Sequence, residues 1–306
     1  MTRAVLGLLV LVVIGAALLF YWRLSIRGHQ QRLRQLDVRV HVNGIRGKST
    51  VTRLVGGVLR EGGYVTVAKT TGSAARVIGP HGEETPIFRR GAANINEQID
   101  IVAEHIQPDV EALVIECMAV RPLYQQYSQD YMVRSDITVI TNVREDHQEE
   151  MGETLEEIAD SMAVTIPRGG VVITAEDRPH LRERLRMRAH ERGSTLIYAD
   201  PESVDDEDMR GFDYLQFKEN VAIGLAIARI CGVSHRAALE GFLCVCQSQN
   251  CSNTPGEVLR GRRELACSGA LRWARLFDAV WAGEGSTGPH FLKRAGIGEV
   301  RALTLC

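Results

Sequence analysis

The sequence predicts an α/β domain around a mostly parallel sheet, preceded by one membrane-crossing helix. Three observations predict it. Short apolar strands alternate with helical patterns from residue 37 to about 243, the spacing expected of strand–helix–strand units. A glycine-containing loop, Gly44-Ile45-Arg46-Gly47-Lys48-Ser49-Thr50, sits between the first strand and the first helix of that series. An apolar run, Ala4 to Trp22, lies in front of it.

The apolar run has no charged residue and as a helix spans about 28 Å, close to the hydrocarbon thickness of a bilayer. Phe20, Tyr21 and Trp22 form an aromatic edge, and Arg23, Arg27, Arg32 and Arg34 follow, against Arg3 in front. That asymmetry places the C-terminal side in the cytoplasm. A cleaved signal peptide is the alternative, but its basic residues would lie on the other flank and a small-residue cleavage site would follow. The expectation is an uncleaved single-pass anchor in the cell membrane, residues 1–36, with a polar juxtamembrane helix.

Val38 to Val42 alternates with period two and reads as a strand. Ser49 to Glu61 places Val51, Leu54, Val55 and Val58 on one helical face, and Gly62-Gly63 closes it. Val65 to Ala68 is a short strand; Arg76 to Ala93, rich in Gly and Pro, reads as a surface excursion. Asn96–Ile106 suits a helix, and Ala112–Glu116 and Ile137–Thr141 suit buried strands. Thr154-x-x-Glu157 is a capping-box signature for a helix through Val164. Val171–Thr174 and Thr195–Ala199 read as strands, Pro179–Arg192 and Asn220–Cys231 as helices. After Leu243 the texture changes: Cys, Gly and Arg cluster, Arg260, Arg262 and Arg263 form a basic knot, and Trp273 and Trp281 appear. This segment, 244–306, reads either as a variable subdomain or as a stretch that leaves the fold, as a change of reading frame would produce.

The 306 residues carry a net charge of -2, which argues against a dedicated nucleic-acid binder. Seven cysteines, an odd number without regular spacing, argue against a disulfide framework. Cys244-x-Cys246-x4-Cys251 departs from the usual zinc spacing. Lysine is scarce, with only Lys48, Lys69, Lys218 and Lys293.

The Gly44–Thr50 loop is the strongest chemical signal. Exposed backbone N–H groups at a helix start bind phosphate, and glycines let the chain approach it closely. Lys48 suits the β- and γ-phosphates and the Ser49 hydroxyl a magnesium ion. Val42 stands where the common eight-residue loop has glycine. Glu116 ends a parallel-type strand, where ligands bind in such sheets. It is either a second magnesium anchor or a solvated strand-end acid. Asn142-Val143-Arg144-Glu145-Asp146-His147 leaves a strand end and is either a polar loop or a metal or acid–base site. Lys69-Thr70-Thr71-Gly72, also at a strand end, suits phosphate or carboxylate contact or an ordinary turn.

Together these stretches resemble the ATP-dependent Mur ligase superfamily, and within it the poly-γ-glutamate synthase ligase subunits of the CapB/PgsB type. The resemblance runs from Val42-Asn43-Gly44 through Arg53-Leu54. It continues at Lys69-Thr70-Thr71-Gly72, Glu116-Cys117-Met118-Ala119-Val120, Asn142-Val143, Glu145-Asp146-His147 and Met151-Gly152, and it covers residues 1 to 243. It implies an ADP-forming amide ligase that polymerises glutamate into poly-γ-glutamate through an acyl phosphate, for a capsule or secreted polymer. ATP and Mg²⁺ are the implied cofactors, small membrane subunits of a synthase or export complex the implied partners. Asn43, Gly44, Arg46, Gly47, Lys48, Ser49 and Thr50 would hold ATP, with Asn220 near the base. Ser49, Glu116 and His147 would serve metals, and Lys48, Glu116 and His147 the chemistry. Lys69, Thr70 and Thr71 would meet substrate.

Two departures stand out. Many Mur ligases carry a carbamylated lysine after the Asp-His pair, and no lysine lies between His147 and Lys218. The family continues into a C-terminal ligase domain that is not recognisable after Leu243. A membrane-anchored P-loop ATPase or kinase, and an inactive nucleotide-binding subunit, are the alternative readings.

Overall fold

The computed structural model describes residues 3–251 except 73, 90, 92, 211 and 213–216, with the side chains of 3–6 and 246–251 also outside the description. Cys246, Cys251, Cys267, Cys306, the Arg260–Arg263 knot and both late tryptophans therefore lie outside the described side chains.

An eight-stranded sheet organises the chain. In chain order its strands are β1 (Val38–Asn43), β2 (Thr66–Lys69), β3 (Arg76–Ile78), β4 (Glu84–Pro86), β5 (Ala112–Glu116), β6 (Ile137–Ile140), β7 (Val171–Thr174) and β8 (Thr195–Tyr198). Their spatial order is β4-β3-β2-β5-β1-β6-β7-β8. Every pairing from β2 to β8 is parallel, as the strand–helix alternation predicts.

The helices are α1 (Arg3–Gln35), α2 (Lys48–Glu61), α3 (Glu97–His105), α4 (Pro122–Tyr127), α5 (Gln148–Met151), α6 (Leu155–Ala163), α7 (Pro179–Glu191), α8 (Lys218–Ile230) and α9 (His235–Cys251). They cover both sheet faces, and period-two alternation sorts the strand residues between them. Ala112 and Val114 face the core shared with α2, α8 and α9, whereas Leu113 and Ile115 face the core under α3 and the end of α1. Val172 faces a third cluster under α6 and α7.

Three local features differ from the sequence reading. The 76–93 excursion contains β3 and β4, which extend the sheet antiparallel beyond β2. Pro86 lacks a donor and sits at the sheet edge, where none is needed. A π-helical turn, Ser128–Val133, follows α4 directly. Its Gln129 side chain meets His41 Nδ1 at 3.0 Å, so burial against β1 holds a conformation that local propensity does not announce. α9 also crosses residue 243 without a break.

α1 is one continuous helix. The segment Gly7–Gln35 is long and apolar enough to cross a membrane. Its last turns dock on the domain: Leu33, and Leu36 just past the helix end, are buried, and the His29 ring nitrogen Nε2 lies 2.9 Å from the Met132 carbonyl.

Candidate nucleotide site and its cleft

The site forms where the C-terminal ends of β1, β2, β5 and β6 meet, next to the start of α2. β1 ends at Asn43, whose buried side chain turns inward: its amide donates to Gln125 Oε1 at 2.7 Å and its Oδ1 accepts from the Gly44 N–H at 2.8 Å. The chain then turns sharply. Gly44 and Gly47 have φ of +127° and +81°, a region open to glycine at little cost. A Cβ on Gly44 would also collide with Thr141 Oγ1, and one on Gly47 would crowd Asn220 Oδ1 at 2.9 Å.

Gly47 is the N-cap of α2, and no side chain caps it. The first N–H groups of a helix have no partner inside it and carry the positive end of its dipole. The loop is braced from behind by Asn142, whose side chain accepts from the Arg46 N–H and donates to the Arg46 carbonyl, both at 3.1 Å. Thr141 adds a second bond to that carbonyl at 2.7 Å. Arg46 itself points outward and pairs with Asp146 at 3.3 Å.

Lys48 Nζ donates to the carbonyls of Gly44 at 2.8 Å and Ile45 at 3.2 Å, resting on the loop it would complete. Ser49 Oγ donates to Glu116 Oε2 at 2.8 Å, and the same oxygen accepts from the Thr71 N–H at 2.8 Å. The ends of β2 and β5 and the start of α2 thus converge on one carboxylate. Asn220, on the first turn of α8, is buried against the Gly47 backbone.

A cleft of about 330 Å³ opens beside this loop. Asn43, Gly44, Lys48, Thr71 and His147 line it, together with Arg89, Cys117 and Met118. His147 has φ of +50° and a half-exposed ring, 3.9 Å from Asp146. Among the described residues no three His, Cys, Asp or Glu side chains gather as a metal cage. Oxygen from Ser49 and Glu116 nevertheless suits magnesium, which takes one or two protein oxygens and completes its shell with phosphate and water.

Of the other sequence-flagged residues, Thr70 closes on the Arg76 backbone. Lys69 is fully buried and paired with Glu97 at 2.7 Å. Burial lowers its pKa, and the Glu97 hydrogen bond only partly offsets that. Three residues the sequence reading passed over matter here. Glu176, fully buried after β7, accepts from the Val143 N–H at 2.7 Å and from Arg144 and Arg178, which fixes the loop leading to His147. Gln125 anchors Asn43. Arg89 reaches the cleft from the 76–93 excursion. Only Glu176, an acid just past a buried strand, left a trace in the sequence comparable to that of Glu116.

The Mur ligase middle domain model matches residues 42–229, more than half of the chain. The chain belongs to the Mur ligase family. Within that family it is similar to capsule biosynthesis protein CapB of Bacillus anthracis, 44% identical over 219 residues, which are 71% of this chain and 47% of that protein. It is also similar to PGA synthase CapB of Bacillus subtilis (strain 168), 41% identical over 235 residues, 76% of this chain and 59% of that one. The chain therefore spans about half the length of these relatives. E. coli FolC in complex with DHPP and ADP shares the fold at a TM-score of 0.53 and 20% identity, over 73% of this chain and 61% of FolC. A bifunctional folylpolyglutamate synthase/dihydrofolate synthase with Mn, AMPPNP and L-glutamate bound does so at 0.50 and 16%, over 72% and 60%. These likenesses agree with the parallel sheet and the loop before α2 as a Mur ligase middle domain.

Proposed function

We propose that this chain is the ATP-binding part of an ADP-forming amide ligase that extends poly-γ-glutamate. The observation that carries the reading is the convergence of the Gly44–Thr50 loop, Lys48 and the Ser49–Glu116 pair on the uncapped start of α2. Similarity to two CapB proteins, one named a PGA synthase, supports the polymer. The ADP, AMPPNP, Mn and L-glutamate named with the fold relatives support a nucleotide, a divalent metal and the amino acid.

A carboxylate oxygen at the chain end attacks the γ-phosphorus of ATP, and the bond from that phosphorus to the ADP oxygen breaks. The product is an acyl phosphate. The amine of an incoming glutamate attacks its carbonyl carbon, the carbon–oxygen bond to phosphate breaks, and the nitrogen gives up a proton. Phosphate is a far better leaving group than the original carboxylate oxygen.

The residues of the chain position and neutralise rather than bond. Main-chain N–H groups at the uncapped start of α2 cradle the phosphates. The Lys48 ammonium, freed from its loop carbonyls, offsets charge on the transferring phosphoryl group. Ser49 and Glu116 would hold magnesium, which neutralises phosphate charge when bound. Asn220, pressed against Gly47, borders the nucleotide from α8, and His147 borders the cleft where the carboxylate enters. α1 crosses the membrane once with the domain on the cytoplasmic side, beside the small membrane subunits that receive the product.

Glutamate dependence tests the reading. With membranes containing its partners, the chain releases ADP only when glutamate and a γ-glutamyl chain are supplied, and Lys48→Ala abolishes the release. Release indifferent to glutamate contradicts the proposal in favour of a membrane-anchored ATPase or kinase. Nucleotide binding with no ADP formed contradicts it in favour of a binding subunit.

A further inference from the structure

The cleft carries a cation that nucleotide binding leaves unused. Arg89 lines the cleft that Lys48 and Thr71 also line. Its guanidinium is fixed in plane: Nε and Nη2 donate to Glu97 at 2.6 and 3.0 Å, and Nη1 donates to the Gly72 carbonyl at 3.0 Å. An arginine has five N–H donors, so one N–H on each terminal nitrogen stays free of these contacts. Glu97 also receives the ammonium of the buried Lys69 at 2.7 Å. One carboxylate thus answers two cations. Burial raises the Glu97 carboxyl, but hydrogen bonds from Arg89 and Lys69 more than offset this and hold its pKa below the ordinary value. Glu116, the other acid that Lys69 senses, is engaged by Ser49 and the Thr71 N–H. Arg89 therefore presents its remaining terminal N–H donors at the cleft wall, held in a fixed plane.

A γ-linked glutamyl chain ends in a residue with two carboxylates, α and γ. Both are nucleophiles of similar strength, and only the γ-carboxylate gives the γ-linked product. Discrimination needs a fixed, directional cation that holds the α-carboxylate away from the phosphoryl group. Arginine suits this better than lysine because its planar donors match a carboxylate's two oxygens.

The geometry points to Arg89, buttressed by Glu97 and Lys69, as the binding residue for the α-carboxylate of the terminal glutamyl unit. The assignment rests on the ligase reading of the same cleft and extends it to the choice between α and γ activation.

The test compares two oligomers on the full chain in detergent with Mg²⁺ and a non-hydrolysable ATP analogue. One is γ-linked triglutamate. The other ends in 4-aminobutyrate, which keeps the reacting carboxylate and lacks the α-carboxylate. The chain binds the glutamate-ended oligomer roughly tenfold or more tighter, the size of one charge-assisted contact. Arg89→Met loses that preference, with affinity for the aminobutyrate-ended oligomer and for the nucleotide unchanged. Arg89→Lys keeps the charge without the fork and restores part of the preference. A preference that survives in Arg89→Met overturns the assignment, as does equal weakening of both oligomers, the mark of a merely structural ion pair. Equal binding of both by the unaltered chain overturns it while the ligase reading stands. Binding of neither overturns that reading too.

Discussion

Gly47 and Glu116 show how much of the site rests on single residues. Gly47 adopts a left-handed conformation and lies against Asn220. An L side chain in that region costs about 1–2 kcal/mol, and the Asn220 contact adds to it. Gly47→Ala therefore weakens ATP binding while leaving the sheet intact, seen as a lost nucleotide heat with an unchanged far-ultraviolet circular dichroism spectrum; undiminished affinity contradicts the loop geometry. Glu116→Gln keeps the shape of the Ser49 and Thr71 contacts but removes the charge. Affinity for magnesium-ATP falls roughly tenfold or more, whereas metal-free ATP binds almost as before. Equal loss in both titrations rules out a metal role. Lys48, Ser49 and Glu116 were legible in the sequence because each sits at the junction of a strong local pattern. Arg89 and Gln125 were not, because tertiary packing alone brings them to the cleft.

At the scale of elements, α2 binds the nucleotide loop to the rest of the domain. It packs on α9 so closely that a Cβ on Gly241 would lie 2.6 Å from the Gly57 backbone, and one on Gly57 would lie 2.5 Å from the Gly241 carbonyl. Backbone cannot yield as a flexible side chain can. Gly241→Ala accordingly destabilises the fold by about 1–3 kcal/mol, read as a lower urea midpoint at unchanged slope. No shift in the midpoint contradicts the close approach. The elements legible in advance were those with a repeating apolar period or a cap. The Thr154–Glu157 box forms as its spacing foretells, each residue's side chain bonded to the other's backbone N–H at 3.2 and 3.1 Å. β3 and β4, three residues each, carry too little alternation to register in the sequence. The π-helical turn does not register either, because its warrant is a buried contact with a distant strand.

The whole molecule carries a pH signature in its core. His41 is fully buried on β1, and burial lowers its pKa from 6.5 to about 4, with the Gln129 hydrogen bond a partial offset. Between those values the unfolded chain binds a proton that the folded chain refuses, so stability is lost as pH falls from 6.5 toward 4. The loss is about 3 kcal/mol at most. His41→Gln flattens the pH dependence of the urea midpoint across that window; an unaltered slope means that His41 does not carry it. On the same scale, α1 joins a membrane-length apolar segment to a domain-docked end without a break.

Calorimetry of magnesium-ATP against the purified full chain tests the central claim, that the turn between β1 and α2 grips a nucleotide triphosphate. The account predicts a saturable one-site heat that Lys48→Ala removes. No heat with the unaltered chain, or an equal heat with Lys48→Ala, contradicts it.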